Sequence, residues 1–307
     1  MIRLTAALGR YPATEDLLDG VSTGAVFELE PADYGPTIVG AFRRMIRERA
    51  YDLCELGATA YLPALEYGEP MLGLPIFPLR NFGFGSVMVN QRNGISGPAD
   101  LTGKRIAVRT YGVTAVVWVR AMLAELYGVD PASITWVVND LEHLAQFQLP
   151  SNVEYLEGAD LSGMLESGDV AAGIGIYRGT ASDVTPLFTD VGAVERDWYE
   201  RTQVLPIHHL VVVRQELLEE NPGLAAAIID AFVDSKERFL SRLSSGEPLD
   251  EASATLAERR ELVGPDPVPY GIGPNRRAIE ALIRYSRDQQ LLKGTWEPEE
   301  IFAPGCE

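Results

Sequence analysis

Residues 101–138 read LTGKRIAVRTYGVTAVVWVRAMLAELYGVDPASITWVV, and this stretch decides the fold class. Its segments 105–109 and 134–139 contain short apolar runs at 106–108 and 136–138 and read as strands, whereas the apolar residues over 113–127 follow a helical spacing. A strand, a helix and a strand in this order form the βαβ unit of a parallel sheet. The same alternation extends in both directions along the chain, so we predict an α/β fold with mainly parallel sheets flanked by helices.

Two segments divide this predicted fold into lobes. The segment QRNGISGPAD at 91–100 is polar and contains glycine and proline, which is typical of a crossing between units. The apolar stretch at 204–213 reads as a long strand that returns the chain to the first unit. We therefore predict a discontinuous lobe 1 formed by 1–90 and 205–307, with lobe 2 at 91–204 inserted and a ligand cleft between the lobes.

Composition excludes several classes of function. The chain has 44 acidic against 26 basic residues and a net charge of −18, which argues against a nucleic-acid partner. No apolar run is long enough to predict a membrane span. The two cysteines, Cys54 and Cys306, form no disulfide framework, and three histidines without metal-ligand spacing predict no zinc site. The sequence contains no phosphate-binding or serine-nucleophile motif. It leaves open whether the chain forms a homo-oligomer.

The opening MIRLTAALGR reads directly into a strand. Arg3 and Thr5 interrupt its apolar run, and no small-residue cleavage site follows, as a signal peptide would require. We therefore expect a cytoplasmic protein, for which an enzyme is a more natural function than solute capture outside the cell.

Further strings along nearly the whole chain accompany the stretch at 101–138. They are AYDLCELGATAYL (50–62), PIFPLRNF (75–82), LPIHHLVVVR (205–214), PYGIGPNRRAIEALIRYSRDQQLL (269–292) and EEIFAP (299–304). In this order they resemble the 4,5-dihydroxyphthalate decarboxylase family, which has the two-lobed type II periplasmic-binding-protein fold.

The resemblance implies a non-oxidative decarboxylase whose partner is a small hydroxylated aromatic carboxylate. Such a reaction protonates the ring carbon that bears the leaving carboxylate, and it needs no metal or organic cofactor. GFGS at 83–86 and GIGIYR at 173–178 depart from the family, where the resemblance implies a basic, histidine-containing segment and a different arginine-containing one. The resemblance implies 4,5-dihydroxyphthalate as the substrate, and these departures leave room for a close relative of it.

Candidate substrate-binding residues lie where strands end and helices begin. Tyr111, Gly112 and Thr114 open the helix after the strand at 105–109, where free N–H groups and the helix dipole favour a carboxylate. Arg80 and Arg109 lie at predicted strand ends, and a guanidinium binds a carboxylate with two parallel hydrogen bonds. An N-terminal cap and a surface ion pair are the structural alternatives for these residues.

The candidate catalytic residues are Glu55 and His209. Glu55 follows an apolar run, and burial beside an apolar cleft favours a protonated carboxyl that can donate a proton. His208 and His209 alternate in a strand, so one of them at most faces the cleft, and the resemblance favours His209. Capping, hinge-locking or core roles are the structural alternatives for both residues.

Aromatic side chains are candidates for stacking on a substrate ring. They are Tyr11, Tyr61, Phe82 and Tyr177, whereas the helical spacing of Trp118 predicts a core position.

Two other functions fit the predicted fold. One is a non-catalytic binding protein that delivers an aromatic acid to an ABC importer, which a signal sequence in the native gene would favour. The other is cleavage of a different bond, such as aromatic desulfination, which would make Cys54 essential; its apolar flanks argue against a reactive thiolate.

Overall fold

The computed structural model describes residues 1–22, 26–245 and 248–306. In chain order, its strands and helices are β1 (Ile2–Ala7), α1 (Glu15–Leu18), β2 (Phe27–Pro31), α2 (Val39–Glu48), β3 (Leu53–Gly57), α3 (Ala58–Glu66), β4 (Met71–Leu74), β5 (Val87–Asn90), β6 (Arg105–Val108), α4 (Thr114–Tyr127), β7 (Thr135–Val138), β8 (Val153–Tyr155), α5 (Leu161–Ser167), β9 (Ala172–Ile174), β10 (Val184–Pro186), α6 (Val191–Thr202), β11 (His209–Arg214), α7 (Gln215–Glu220), α8 (Leu224–Ser245), α9 (Glu251–Val263) and α10 (Ile272–Asp288).

The chain divides into two compact units. The first contains Met1–Asn81, Leu205–Ile283 and Gly294–Glu307, and the second contains Phe82–Val204 and Arg284–Lys293. The second unit thus includes residues 82–90 and 284–293, which the sequence assigned to lobe 1. The end of α10 belongs there because Tyr285 packs against Trp118 of α4, with ring centroids 5.8 Å apart.

The first unit is built on a mixed sheet with the strand order β2-β1-β3-β11-β4. Strand β1 pairs in parallel with β2 and β3, whereas β11 runs antiparallel to both of its neighbours, β3 and β4. Helix α8 covers one face, where Ile228 and Phe232 join the core cluster of Leu53 and Val211. The returning strand therefore lies inside the sheet, between two strands that precede it by more than 130 residues.

The second unit contains a six-stranded sheet with the order β10-β5-β9-β6-β7-β8. Strands β6 to β9 pair in parallel, and β5 runs antiparallel between β9 and β10. Helix α4 follows β6 and is capped by Gly128, whose φ of 67° is the left-handed conformation that glycine tolerates. Each sheet is thus mainly parallel, as predicted, with one strand, β11 in the first sheet and β5 in the second, that runs against the others.

Three elements differ from the sequence-based expectation. The strand predicted over 204–213 begins only at His209, because Pro206 has no N–H to donate to a ladder. Helices α6 and α9 were not predicted, because their apolar residues follow the helical period poorly; the carboxylates of Asp190 and Asp250 cap their N-termini by accepting backbone N–H groups. Among the described residues, no helix combines the length and the apolar character that a membrane span requires.

Candidate active site

The centre of the candidate site is the fully buried carboxylate of Glu55 on β3. Its Oε2 atom accepts a hydrogen bond of 2.8 Å from the backbone N–H of Gly9, and its Oε1 atom accepts one of 2.6 Å from the hydroxyl of Tyr11. The same Oε1 atom is hydrogen-bonded to Nδ1 of His209. Both carboxylate oxygens are therefore engaged, which satisfies the requirement for hydrogen bonds that burial of a charged group imposes.

His209 is held in place on two sides. Its Nδ1 atom meets Glu55, and its ring packs edge-on against Phe42 of α2 with the centroids 5.1 Å apart. The side chain is 12% exposed, and Nε2 has no hydrogen bond to the described residues. The imidazole thus has one nitrogen fixed by the protein and one available to a ligand, which is the arrangement of a histidine that transfers protons.

Tyr11 belongs to the same hydrogen-bonded group. Burial, followed by the negative charge of Glu55, raises the pKa of its phenol far above the ordinary value. Tyr11 therefore remains a neutral donor to Glu55. Its hydroxyl thus binds the carboxylate, and stacking of its ring on a substrate stays a prediction. We refer to Tyr11, Glu55 and His209 together as the Glu55 cluster.

Sequence reasoning missed two residues near the Glu55 cluster. Phe42 lies on the apolar side of α2, where helical spacing predicts an ordinary core residue. Tyr270 lies within the PYG string, and its buried hydroxyl has no hydrogen-bond partner among the described residues. Burial, and then the charges of Asp266 and Glu55, raise the pKa of its phenol. That string was noted only as a mark of family resemblance.

The two other candidates beside the cluster are buried and chemically quiet. Burial lowers the pKa of His208 to about 3, so this imidazole is neutral near neutral pH. Burial also raises the pKa of the Cys54 thiol well above its ordinary value. The thiol donates to the backbone carbonyl of Glu55 at 3.1 Å. Cys54 therefore lacks the thiolate character of a nucleophile.

The two predicted arginines differ in their surroundings. Arg80 is only 3% exposed and donates to Asn275 Oδ1 and to the carbonyl oxygens of Leu205 and Pro269, the last at 3.3 Å. Arg109 is partly exposed and forms an ion pair with Asp140 at 3.1 Å. Arg80 thus ties together distant parts of the first unit, whereas Arg109 keeps a weakly held, solvent-accessible guanidinium.

An internal carboxylate occupies the predicted anion site at the start of α4. The N–H of Gly112 donates to Oε1 of Glu142 at 2.9 Å, and a Cβ atom on Gly112 would lie 2.7 Å from the other carboxylate oxygen. Burial raises the pKa of Glu142. Thr114 is buried as the first residue of the helix, and the Tyr111 hydroxyl donates to the Gln289 carbonyl at 3.0 Å. The anion predicted for this turn is therefore supplied here by the chain itself.

The remaining predicted aromatic residues pack within their own units. Tyr61 is fully buried, and its hydroxyl donates to the carbonyl of Ile301 at 2.7 Å. Phe82 is also buried, and the Tyr177 hydroxyl accepts the N–H of Ala181 at 2.7 Å. The three side chains thus contact their own units, and their binding of a substrate stays a prediction. Across the described part of the chain, no group of three histidine, cysteine or acidic residues is placed to hold a metal ion.

Known proteins resemble the chain in sequence and in fold. A 4,5-dihydroxyphthalate decarboxylase from Comamonas testosteroni is 33% identical over 325 aligned residues, covering 99% of this chain and 97% of that protein. A second, from Pseudomonas putida, is 32% identical over 216 residues and covers 64% of this chain and 81% of that protein. No protein-family model matches the chain.

Solved structures match the fold at low sequence identity. The periplasmic aliphatic sulphonate binding protein SsuA from Escherichia coli has a TM-score of 0.54 and 13% identity, with 98% of this chain and 91% of that chain covered. A DszB mutant in complex with biphenyl-2-sulfinic acid has a TM-score of 0.50 and 18% identity, with coverages of 99% and 97%. These likenesses confirm the predicted α/β fold of the periplasmic-binding-protein type.

Proposed function

Because the chain belongs to the 4,5-dihydroxyphthalate decarboxylase family, we propose that it decarboxylates 4,5-dihydroxyphthalate or a closely related hydroxylated aromatic acid. Decarboxylases of this kind are carbon–carbon lyases, and the chain is one of them. The observation that carries the residue-level proposal is the Glu55 cluster, in which a buried carboxylate holds one nitrogen of a partly exposed imidazole.

The reaction needs a proton at one carbon of the substrate ring. A ring hydroxyl para to the leaving carboxylate pushes electron density onto the carbon that bears this carboxylate, and that carbon accepts the proton. The bond to the carboxylate then breaks, its electron pair returns to the ring, and CO2 leaves. One proton thus replaces one CO2, and no oxidant or reductant enters the balance. The protein has to supply a proton donor that the ring can reach.

His209 fits the role of proton donor. Glu55 is fully buried and both of its oxygens are engaged inside the protein, so it has no free atom to offer the ring. The Nε2 atom of His209 has no such partner, and a proton can pass from it to the ring carbon. Glu55 then fixes the orientation of the imidazole, as the carboxylate does in other acid–base pairs. A donor of this kind contributes about 10²–10⁴ in rate.

Substrate binding in the second unit is proposed for Arg109. Its ion pair with Asp140 is exposed and therefore weak, so a substrate carboxylate can compete for the guanidinium. For Arg80 we propose a structural role, since its N–H groups bind internal acceptors. A cytoplasmic location and a homo-oligomer remain proposals, which cell fractionation and size-exclusion chromatography with light scattering would test.

The deciding experiment measures CO2 release and ring products from 4,5-dihydroxyphthalate with the wild type and two cluster variants. We expect His209→Ala and Glu55→Gln to lower kcat by about a hundredfold or more. The matched control is Tyr34→Phe, because the Tyr34 hydroxyl donates to the Leu8 carbonyl at 3.0 Å and not to Glu55. Full turnover in His209→Ala would refute the assigned donor. Tight binding of the substrate without CO2 release by the wild type would instead favour a binding protein.

A further inference from the structure

The second unit contains a cavity apart from the Glu55 cluster. Its volume is about 210 Å³, and its lining comes from Tyr111, α4, the loop after α4, Asn152, and the end of α10 with the two residues that follow it. Arg120, Tyr111, Tyr285 and Gln289 contribute to the lining. A space of this size exceeds what one or two water molecules need and accommodates a small organic molecule.

Arg120 supplies a buried positive charge to this cavity. Its guanidinium lies 4.0 Å from the ring centroid of Tyr111 and 4.9 Å from that of Trp136, and its Nη2 atom donates to the Tyr111 carbonyl at 2.6 Å. Its Nε and Nη1 atoms are buried and have no hydrogen-bond partner among the described residues. Burial of a cation is costly, and the two rings together with the nearby charge of Glu142 offset only part of this cost.

Gln289 supplies a complementary acceptor. Its Nε2 atom donates to the Val117 carbonyl at 3.0 Å, whereas its buried Oε1 atom has no partner within the described ranges. Tyr111 contacts both residues, because its backbone carbonyl accepts from the Arg120 guanidinium and its hydroxyl donates to the backbone carbonyl of Gln289. The lining therefore offers unpaired donors on a cation and an unpaired acceptor on an amide.

Three acidic residues also line the cavity, and each has its own contact. Glu125 accepts from Arg284 at 3.1 Å and from the Tyr285 hydroxyl at 2.9 Å. Asp130 accepts the N–H of Ala132, and Asp288 lies 3.9 Å from the guanidinium of Arg287. Arg120 is the only lysine or arginine among the lining residues. A ligand with both a carboxylate and a hydroxyl would match the unpaired donors of Arg120 and the unpaired acceptor of Gln289.

We propose that this cavity is a second binding site for a small hydroxylated aromatic monocarboxylate. The carboxylate accepts from the guanidinium of Arg120, a ring hydroxyl donates to Oε1 of Gln289, and the ring packs beside Tyr111 and Tyr285. The hydroxybenzoates that a hydroxyphthalate decarboxylase releases belong to this class, and this link alone rests on the proposed function. The site would allow the product to bind apart from the Glu55 cluster.

The test is calorimetric titration of the wild type and variants with 3,4-dihydroxybenzoate. The first variant is Ala124→Leu, which fills the cavity from its helix wall without altering Arg120 or Gln289. We expect it to bind one ligand fewer per chain than the wild type, whereas His209→Ala retains that ligand. Equal stoichiometry in the wild type and Ala124→Leu would overturn the proposal. The result does not depend on turnover, so a failed decarboxylase assay leaves it intact.

Two further comparisons test the chemistry of recognition. Gln289→Leu should lower the affinity of this site for 3,4-dihydroxybenzoate to that for benzoate, which lacks the hydroxyls. Arg120→Met should weaken binding about tenfold to a hundredfold, the usual range for loss of a charged hydrogen bond. Catechol, which lacks the carboxylate, should not bind. Binding of catechol as tight as that of 3,4-dihydroxybenzoate would contradict the role of Arg120, and thermal melts of each variant establish that it is folded.

Discussion

The imidazole of His209 and the carboxylate of Glu55 are diagonal neighbours across the antiparallel pair of β3 and β11. In this pair Gly57 lies opposite His209, and Val211 lies opposite Glu55. Because side chains alternate along a strand, these four residues share one face of the sheet. Because Gly57 has no side chain, the position opposite His209 is empty. The imidazole instead bonds to the carboxylate of Glu55, two residues before Gly57.

Removal of the Tyr11 hydroxyl should slow turnover without unfolding the protein. Tyr11→Phe takes one of two hydrogen bonds from Oε1 of Glu55, which leaves the carboxylate less firmly held. We expect kcat to fall about tenfold and KM to change little, since a charged hydrogen bond contributes about 1.5–3 kcal/mol. Steady-state kinetics beside Tyr34→Phe measures the difference, and equal kinetics in the two variants would contradict the role of Tyr11.

The two candidate arginines should respond differently to the same substitution. Arg80→Met removes internal hydrogen bonds from a buried guanidinium, so we expect the free energy of unfolding to fall by about 2–4 kcal/mol. Arg109→Met removes an exposed ion pair, so stability should fall by less than about 1 kcal/mol while KM rises. Urea denaturation measures the free energy of unfolding, and substrate titration measures KM. The reverse pattern would indicate that Arg80, and not Arg109, binds the substrate.

Glu142 competes with any external carboxylate for the N–H of Gly112. If the substrate binds at the start of α4, Glu142→Ala should lower KM about fivefold, because an internal competitor is lost. Glu142→Gln keeps a hydrogen-bond acceptor at the same position and serves as the matched variant. An unchanged KM in Glu142→Ala would remove this turn from the list of substrate-binding elements.

Cys54 should be dispensable for catalysis. Its thiol is fully buried, and burial holds its pKa well above the ordinary value, so little thiolate is present near neutral pH. We expect Cys54→Ser to retain turnover within about threefold, apart from any loss of folded protein. Complete loss of activity in a folded variant would show that the thiol takes part in turnover.

His208 should make folding sensitive to acid. Its pKa is about 3 in the folded chain and 6.5 ordinarily, so the unfolded chain binds a proton more readily. The stability that this neutral histidine contributes is fully present above pH 6.5 and is lost as the pH falls towards 3, by about 1.4 kcal/mol per pH unit. Urea midpoints between pH 7 and 4 should therefore fall less steeply for His208→Gln. Parallel slopes would contradict a buried neutral imidazole.

The sequence predicted the positions of strands and helices better than the pairing between strands. Apolar periodicity located β6, α4 and β7 to within two residues, because each is a local pattern. The strand opposite Glu55 could not be predicted in this way, since it lies 154 residues further along the chain at His209. Glu55 and His209 were both named from the sequence, but their bond depends on a pairing that only the folded sheet provides.

The same limit explains the assignments at the other predicted binding residues. Residue type and position at a strand end suggested Arg80 and the turn at 111–114 as carboxylate sites. The acceptors that meet them, Asn275 and Glu142, are distant in sequence, and nothing in a local pattern marks them as partners. Strand ends therefore indicate where polar groups gather, and tertiary packing decides whether they meet a ligand or one another.

The central place of β11 sets an order for biosynthesis. Strands β1 to β4 are synthesised first. In the sheet, β11 lies between β3 and β4, so these two strands are joined only after residues 209–214 have been synthesised. A nascent chain that ends before this strand has neither a complete first sheet nor the histidine of the Glu55 cluster. The second unit, whose strands all precede residue 187, has its whole sheet available earlier. Completion of the active site is thereby linked to emergence of the last strand.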